Sequence, residues 1–232
     1  MTRPQIVHLA EPRVAEAAEA LALAFMGDPL QSYTFPDPEE RRRLSPAHFE
    51  AILRYGLLAG EVLTAAEPGA GAVVWLPPGS TGTPEMADSS GLTRLAAAIG
   101  EAPAARFGSM IDRAEVIHHR LMPGPHWYVM VVGVSPAFQG QGYGRAFLQP
   151  TLDRADLDGI PVYLETAQPK NVSFYQRLGF AVLEETVDAE TGLTLWAFRR
   201  DPASRGGTVV EAIEPKPAER PPRPRRPRAK TC

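Results

Sequence analysis

The sequence has a single cysteine, Cys232, the last of its 232 residues. An internal disulfide is therefore excluded, and a fold independent of oxidation fits a cytoplasmic home. A prenyl acceptor would need a cysteine four residues from the end, so that modification is excluded too. No run approaches the roughly 18 uninterrupted apolar residues that a membrane span needs. A secretory signal is not expected either, because Glu11 and Glu16 come early and the apolar residues around them are periodic. Internal repeats are lacking. The adjacent histidines His118 and His119 point in different directions on a helix and have no companion ligand cluster, so no metal is expected.

Hydrophobic residues make up 44% and charged residues 22% of the chain, ordinary values for one sizeable core. Charge is unevenly spread. Seven bases against three acids give the stretch from Glu211 onward a charge of +4, which leaves −7 on the rest of a chain whose total is −3. An acidic body suits a cationic substrate such as an amine. The terminal stretch is rich in proline and arginine and nearly free of apolar side chains. It cannot bury enough surface to offset chain entropy, so residues 201–232 are expected to be a disordered tail behind a single domain, 1–200. The charge of the tail admits nucleic-acid or membrane-surface contact; a solvated terminus is the plainer reading.

Apolar periodicity predicts a strand over Gln5–Leu9, then helices over Glu11–Phe25 and Pro38–Leu58. Glu61–Ala66 and Ala72–Leu76 flank Glu67-Pro68-Gly69-Ala70-Gly71, a hairpin signature. Pro77–Ser90, rich in Gly, Pro, Ser and Thr, reads as a loop. Helical stretches follow over Leu92–Ile99 and Ala104–Leu121. Past Met122-Pro123-Gly124-Pro125 comes a strand, His126–Val134, apolar enough to be buried on both faces. After a turn, Gly144–Asp158 reads as a helix stopped by Gly159. Strand Val162–Thr166, short helix Asn171–Leu178 and strands Phe180–Glu185 and Leu193–Phe198 complete the pattern. This order predicts an α/β or α+β sheet protein.

The turn carries the chemistry. In Gln139-Gly140-Gln141-Gly142-Tyr143-Gly144-Arg145 the glycines allow a tight backbone with no side chain between it and a ligand. The helix that follows begins at once, so its free N–H groups point into the turn, a setting that attracts a pyrophosphate or similar anion. A dinucleotide fingerprint fails on spacing: counted with Gly140 as the first position the sixth is Arg145, and counted from Gly142 it is Phe147. A Walker loop fails for want of Gly-Lys-Ser/Thr. A purely structural turn stays open on these residues alone.

Val-x-x-x-x-Gln-x-x-Gly-x-Gly, read from Val134 to Gly144, resembles the coenzyme A signature of the GNAT acetyltransferase superfamily. Leu164-Glu165-Thr166, Pro169-Lys170-Asn171 and Phe174-Tyr175-Gln176-Arg177-Leu178-Gly179-Phe180 resemble the second half of that fold. The run His126–Phe180 is most similar to the puromycin N-acetyltransferase branch. The resemblance implies a mixed, mostly antiparallel sheet of about six or seven strands, flanked by helices and splayed where acyl-CoA binds. It implies an acetyl-CoA-dependent N-acetyltransferase without a metal, acting on a primary amine, here expected on a small molecule. A protein amine, or an acyl-CoA sensor without turnover, stays open.

The resemblance also implies residue roles. The pantetheine arm would lie along Val132-Gly133-Val134, where Gly133 suits a bulge or a close backbone approach. Gln139, Gly140, Gln141, Gly142, Tyr143, Gly144 and Arg145 would hold the pyrophosphate, chiefly through backbone amides. Asn171 would contact coenzyme A; as a helix-start asparagine it is also a natural N-cap. Tyr175 would protonate the leaving thiolate. For the base, strict alternation puts His126, Tyr128 and Met130 on one face with Val132. Of these only histidine ordinarily titrates near neutrality. Glu165 on the neighbouring strand is the other candidate, and a structural cap is its plain alternative. Tyr33, Phe35, Trp75 and Trp196 are candidates for lining a substrate pocket, with core packing the plainer reading of each.

Overall fold

In a computed structural model that describes residues 4–80 and 82–203, these patterns form one seven-stranded sheet with helices on both faces. The residues expected to form the tail lie, apart from 201–203, outside the described residues. Strand β1 (Ile6–His8) leads through a 3-10 turn into helix α1 (Val14–Ala24), which buries Val14, Ala17, Ala18, Ala20, Leu21 and Ala22. The carboxylate of Asp28 then accepts from the amides of Leu30 and Gln31 and starts a short helix, α2 (Pro29–Thr34). Asp37 caps α3 (Pro38–Ala59) in the same way, with Pro38 at the first helical position. The hairpin β2 (Glu61–Ala65) and β3 (Gly71–Leu76) is antiparallel, as its turn residues predict.

The stretch 77–90 is not all loop, because Thr83 accepts from Met86 N and begins helix α4 (Pro84–Ser90), which closes on the left-handed Gly91. Helix α5 (Leu95–Ile99) follows, then the long α6 (Glu101–Leu121). Strand β4 (Trp127–Val134), helix α7 (Tyr143–Asp158), strand β5 (Val162–Thr166) and helix α8 (Pro169–Gln176) form the region of the expected site. Strands β6 (Ala181–Val187) and β7 (Thr194–Arg200) finish the sheet, whose order is β1-β2-β3-β4-β5-β7-β6. Among the described residues only the β4–β5 pair is parallel. Among the described residues no helix is long and apolar enough to cross a membrane.

Two cores sandwich the sheet. On one face Phe147, Leu148 and Leu152 of α7, with Tyr175 of α8, pack on Val73, Trp75, Trp127, Val129, Leu164 and Phe198. On the other, Val14, Ala18 and Leu21 of α1 and Phe49 and Leu53 of α3 pack on Val62, Ala72 and Val74. Helix α6 spans this second side. Arg106 donates to the Thr34 carbonyl of α2 at 3.0 and 2.8 Å, and Arg120 forms a bidentate pair with Glu184 of β6 at 2.9 and 2.8 Å.

Gly133 has a reason other than a bulge. A Cβ there would lie 2.7 Å from Leu21 Cδ2 and 2.8 Å from Phe25 Cε2, so α1 rests directly on the strand. The bulge falls earlier. Val74 faces Val131 and Trp75 faces Val129, which makes Met130 the extra residue. Strict alternation therefore breaks: Val132 and Val134 join the face of Trp127 and Val129, while Tyr128 and Met130 pack on the other side. The expected shared face of Tyr128, Met130 and Val132 is thus overturned. Gly133→Ala should destabilise the fold by about 1–3 kcal/mol through overpacking. Gly27→Ala, where a Cβ would meet nothing within 4 Å, should be near neutral. Urea denaturation of both variants checks the contrast.

Candidate active site

The sheet is two half-sheets held by a short seam. β4 and β5 pair at Trp127↔Val162, Tyr128↔Tyr163 and Val129↔Leu164, and no pairing between them continues beyond. β4 stays on β3 as far as Val134, and β5 stays on β7 as far as Thr166↔Trp196. Each strand is thus held from its outer side while the two part. Among the described residues, the inner edge of β4 from Met130 to Val134 has no strand partner, which is a backbone template of the kind an extended ligand can pair with.

The glycine turn stands at the end of that edge. Gly140 and Gly142 have φ of +74° and +88°, in the left-handed region, and a Cβ on either would meet no protein atom within 4 Å. Gly142 caps α7 without a side-chain bond, so the first amides of a 16-residue helix face open space. Gly144 is constrained differently: a Cβ there would lie 3.3 Å from Phe174 Cζ. Gln139 Nε2 donates to the Val134 carbonyl at 3.0 Å and Gln141 Nε2 to the Ala137 carbonyl at 2.9 Å, so both side chains brace the turn. Tyr143 packs edge-on to Phe138, and Arg145 reaches back along the helix to Gln149. A depression of about 530 Å³ bounded by Gly142, Arg145, Gln149 and Asp153 lies along the outer stripe of α7, away from the seam.

On the α7–α8 face, Tyr175 is buried among Phe174, Phe180 and Phe198. Burial first, and the charge of Asp28 second, push its phenol well above the usual tyrosine range. It therefore holds its proton and can act only as a donor near neutral pH. Asn171 is not an N-cap. Gln168 occupies the cap and Pro169 the first turn, and Asn171 Nδ2 instead lies 3.4 Å from Thr166 Oγ1. Gln168 Nε2 donates to the Gly27 carbonyl at 3.1 Å, which draws the α1–α2 junction toward the end of β5.

On the opposite face, under α6, Glu165 is the central group. Its side chain is 8% exposed. Burial raises its pKa to about 7, against the hydroxyls of Tyr128 and Tyr163, which stand beside the carboxylate and favour its charge. Tyr163 Oη is nonetheless buried with no hydrogen bond of good geometry. His118 Nδ1 lies 3.9 Å from Glu165 Oε1, and its ring stacks on Tyr163 at 4.2 Å between centroids. His126 sits just before β4 with its Nε2 2.6 Å from His118 Nε2. Desolvation, then the neighbouring His126 and His119, hold the His118 imidazole down to about 4.

The residues expected at the site thus divide between two sides of one opening. Tyr175 and the glycine turn lie on the α7–α8 side; Glu165 and His126 lie on the α6 side. Sequence reasoning assigned His118 and Tyr128 no role at the site, and Tyr163, which with them surrounds Glu165, and Asp28 near Tyr175 were not among its candidates. Period-2 spacing did put Tyr163 and Glu165 on one face of β5, which was the available signal. Of the aromatic candidates, Trp75 and Phe35 are fully buried core residues, while Tyr33 and Trp196 keep partial exposure. Among the described residues no group of three or more His, Cys, Asp or Glu is arranged to hold a metal.

Comparison with known proteins gives a consistent picture. A sequence pattern of the Acetyltransferase (GNAT) family matches residues 85–180. An uncharacterized N-acetyltransferase of Schizosaccharomyces pombe is 32% identical over 178 residues, 71% of this chain and 69% of that protein. A solved structure described as histone acetyltransferase HPA2 and related acetyltransferase, from Corynebacterium glutamicum, superposes with a TM-score of 0.65 at 25% identity over 89% of this chain and all of that one. Arylalkylamine N-acetyltransferase 2 of Aedes aegypti shares the fold, with a TM-score of 0.57 at 12% identity over 87% of this chain and all of that one.

The raised pKa of Glu165 has a sign that stability measurements can read. A carboxyl that binds its proton more tightly when folded contributes stability below its ordinary value of 4.5 and loses that contribution as pH rises through about 7. The wild type should therefore lose stability relative to Glu165→Gln between those pH values, with a constant difference above. His48 and His118, both lowered to about 4, push the other way in both proteins and largely cancel in the difference. Urea titrations of the two proteins from pH 4 to 8 check this, and a pH-independent difference contradicts it.

Proposed function

The chain belongs to the GNAT acetyltransferase family, and from that premise we propose that it transfers acetyl from acetyl-CoA directly to a primary amine of a small molecule. One observation carries the proposal: a seam that opens after Leu164, with a proton-holding Tyr175 on one side and the Glu165 carboxyl on the other. Acetyl-CoA supplies an activated thioester carbonyl and a good leaving group. Its fit rests on the left-handed glycines and uncapped start of α7, which offer amides and empty space where a pyrophosphate would lie. The free edge Met130–Val134, with Val132, Gly133 and Val134 at its end, offers backbone pairing to the pantetheine arm. Asn171 is assigned to the same ligand.

Each side chain then has a proton task. Tyr175 Oη holds a proton for the departing sulfur. Glu165, poised near neutrality, takes the proton that the amine must lose, and Tyr128 and Tyr163 steady the carboxylate. Direct transfer is favoured because no cysteine precedes Cys232 to carry an acetyl group. A small cationic acceptor suits the acidic body of the chain. Burial raises the phenols of Tyr55 and Tyr128, and the negative charge of Glu115 of α6 adds to both shifts. It also suits the resemblance of His126–Phe180 to the puromycin N-acetyltransferase branch. Residues 1–200, ending with β7, are assigned as the catalytic domain.

The test is a panel of primary amines incubated with acetyl-CoA and read by mass spectrometry. At least one small amine should gain an acetyl group, and kcat should rise with pH through about 7 as Glu165 loses its proton. Tyr175→Phe and Glu165→Gln should each lower kcat by about 100-fold with little change in KM for acetyl-CoA. Acetylation of polypeptide lysines alone would move the acceptor to proteins. Coenzyme A binding without any acetylated amine would identify a sensor instead.

A further inference from the structure

Three titratable groups stand in a row beneath α6, and the chemistry above uses only the first. Glu165 Oε1 is 3.9 Å from His118 Nδ1, His118 Nε2 is 2.6 Å from His126 Nε2, and His126 Nδ1 is 2.7 Å from the Gly124 carbonyl oxygen. These contacts fix the hydrogens. A carbonyl only accepts, so His126 Nδ1 carries a hydrogen and the Nε2 of that neutral ring is an acceptor. The hydrogen in the 2.6 Å contact then belongs to His118 Nε2, which leaves the lone pair of His118 Nδ1 facing the Glu165 carboxyl. Both tautomers are thus assigned from partners, and both rings donate away from Glu165 toward the exposed Gly124.

The row is held in place. His118 stacks on Tyr163 at 16° between planes and lies 4.6 Å from the Tyr128 ring, so its orientation is set by the same two tyrosines that flank the carboxylate. The adjacent His119 takes no part; its Nδ1 lies 3.0 Å from the Glu115 carbonyl on the outer side of α6.

We propose that His118 and His126 are positioning residues that pass the proton collected by Glu165 out to solvent at Gly124. The proposal rests on the reading of Glu165 as base. The Glu165 carboxylate takes one proton from the acceptor ammonium. The carboxyl O–H bond then breaks as an N–H bond forms at His118 Nδ1. The His118 Nε2–H bond breaks as one forms at His126 Nε2, and His126 releases its Nδ1 proton to water. One proton enters and one leaves. Burial makes His118 a poor resting base, with its pKa held to about 4. As a link it needs no net charge, because it gains at Nδ1 while it loses at Nε2. Before the next turnover each ring gives its new hydrogen to water and takes one from water at its other nitrogen, without passing it back to Glu165, and the starting tautomers return. The 3.9 Å step exceeds a hydrogen bond, as catalytic contacts often do before substrate tightens them. The groups bearing on His118 are Glu165 and Tyr163 from β5, Tyr128 from β4, His126 from the loop before it and His119 from α6. Glu115, Arg120 and Glu184 act on the tyrosines.

Two measurements on the full chain test this. Long-range proton–nitrogen NMR of nitrogen-15 histidine should find Nδ1–H on His126 and Nε2–H on His118 at neutral pH, and Glu165→Gln should shift the His118 signals. The opposite tautomers, or His118 signals indifferent to Glu165→Gln, would overturn the relay without any variant at His118. In turnover with acetyl-CoA and the fastest amine of the panel, His118→Gln and His126→Gln should each lose at least about 10-fold in kcat. KM for acetyl-CoA should hold, added imidazole should restore rate, and the double variant should be no worse than either single one. Full kcat in His118→Gln beside an inactive Glu165→Gln would overturn the relay alone. Full kcat in Glu165→Gln would overturn the base reading itself.

Discussion

Everything at the site follows from a seam of three residue pairs. β4 and β5 are parallel neighbours in an otherwise antiparallel set of described strands, and they touch just long enough to set register before parting. The parting costs no backbone order on the outer sides, since β3 holds β4 and β7 holds β5 to their ends. The bulge at Met130 begins where the pairing stops and adds the local twist that turns β4 away. α1 pins the turned segment through its contact with Gly133. The outcome is an open strand edge inside a sheet rather than at its rim, which is protected from other chains yet free to pair with a ligand.

The two faces of this opening impose opposite proton states with one physical means. Burial withholds ionisation from both Tyr175 and Glu165 and is the largest cause of each shift. A phenol so treated stays a donor at any physiological pH. A carboxyl raised only to about 7, because two hydroxyls oppose the burial, can give or take a proton near neutrality. Helix α6 is what dries the second face. Arg106 ties its first half to helix α2, and Arg120 ties its end to β6, so the helix over Glu165 is anchored at both ends.

Much of this was legible in the amino-acid pattern, for identifiable reasons. The glycine turn, the helix behind it and the strand order carry strong local signals: left-handed glycines, a stop at Gly159, and apolar runs of strand length. The Met130 bulge does not. Val129-Met130-Val131-Val132 is apolar throughout, so no polar partner marks which face each residue takes, and alternation carried Val132 to the wrong side. The cap reading of Asn171 was misplaced by three residues, because Pro169 fits the first helical turn and leaves the cap to Gln168. Helix α4 hid behind its own loop-like composition, although Thr83-Pro84 is a sound helix start. His118 carried no signal at all in sequence, since its meaning depends on α6 lying across Tyr163.

The central claim is that the β4–β5 opening and the start of α7 together form the acyl-CoA site. Hydrogen exchange of backbone amides, with and without coenzyme A, reads it most directly. The account predicts slowed exchange in residues 130–134 and 143–145 together, with little change along the outer stripe of α7. Saturating coenzyme A that protects other segments and leaves both of these unchanged would contradict it.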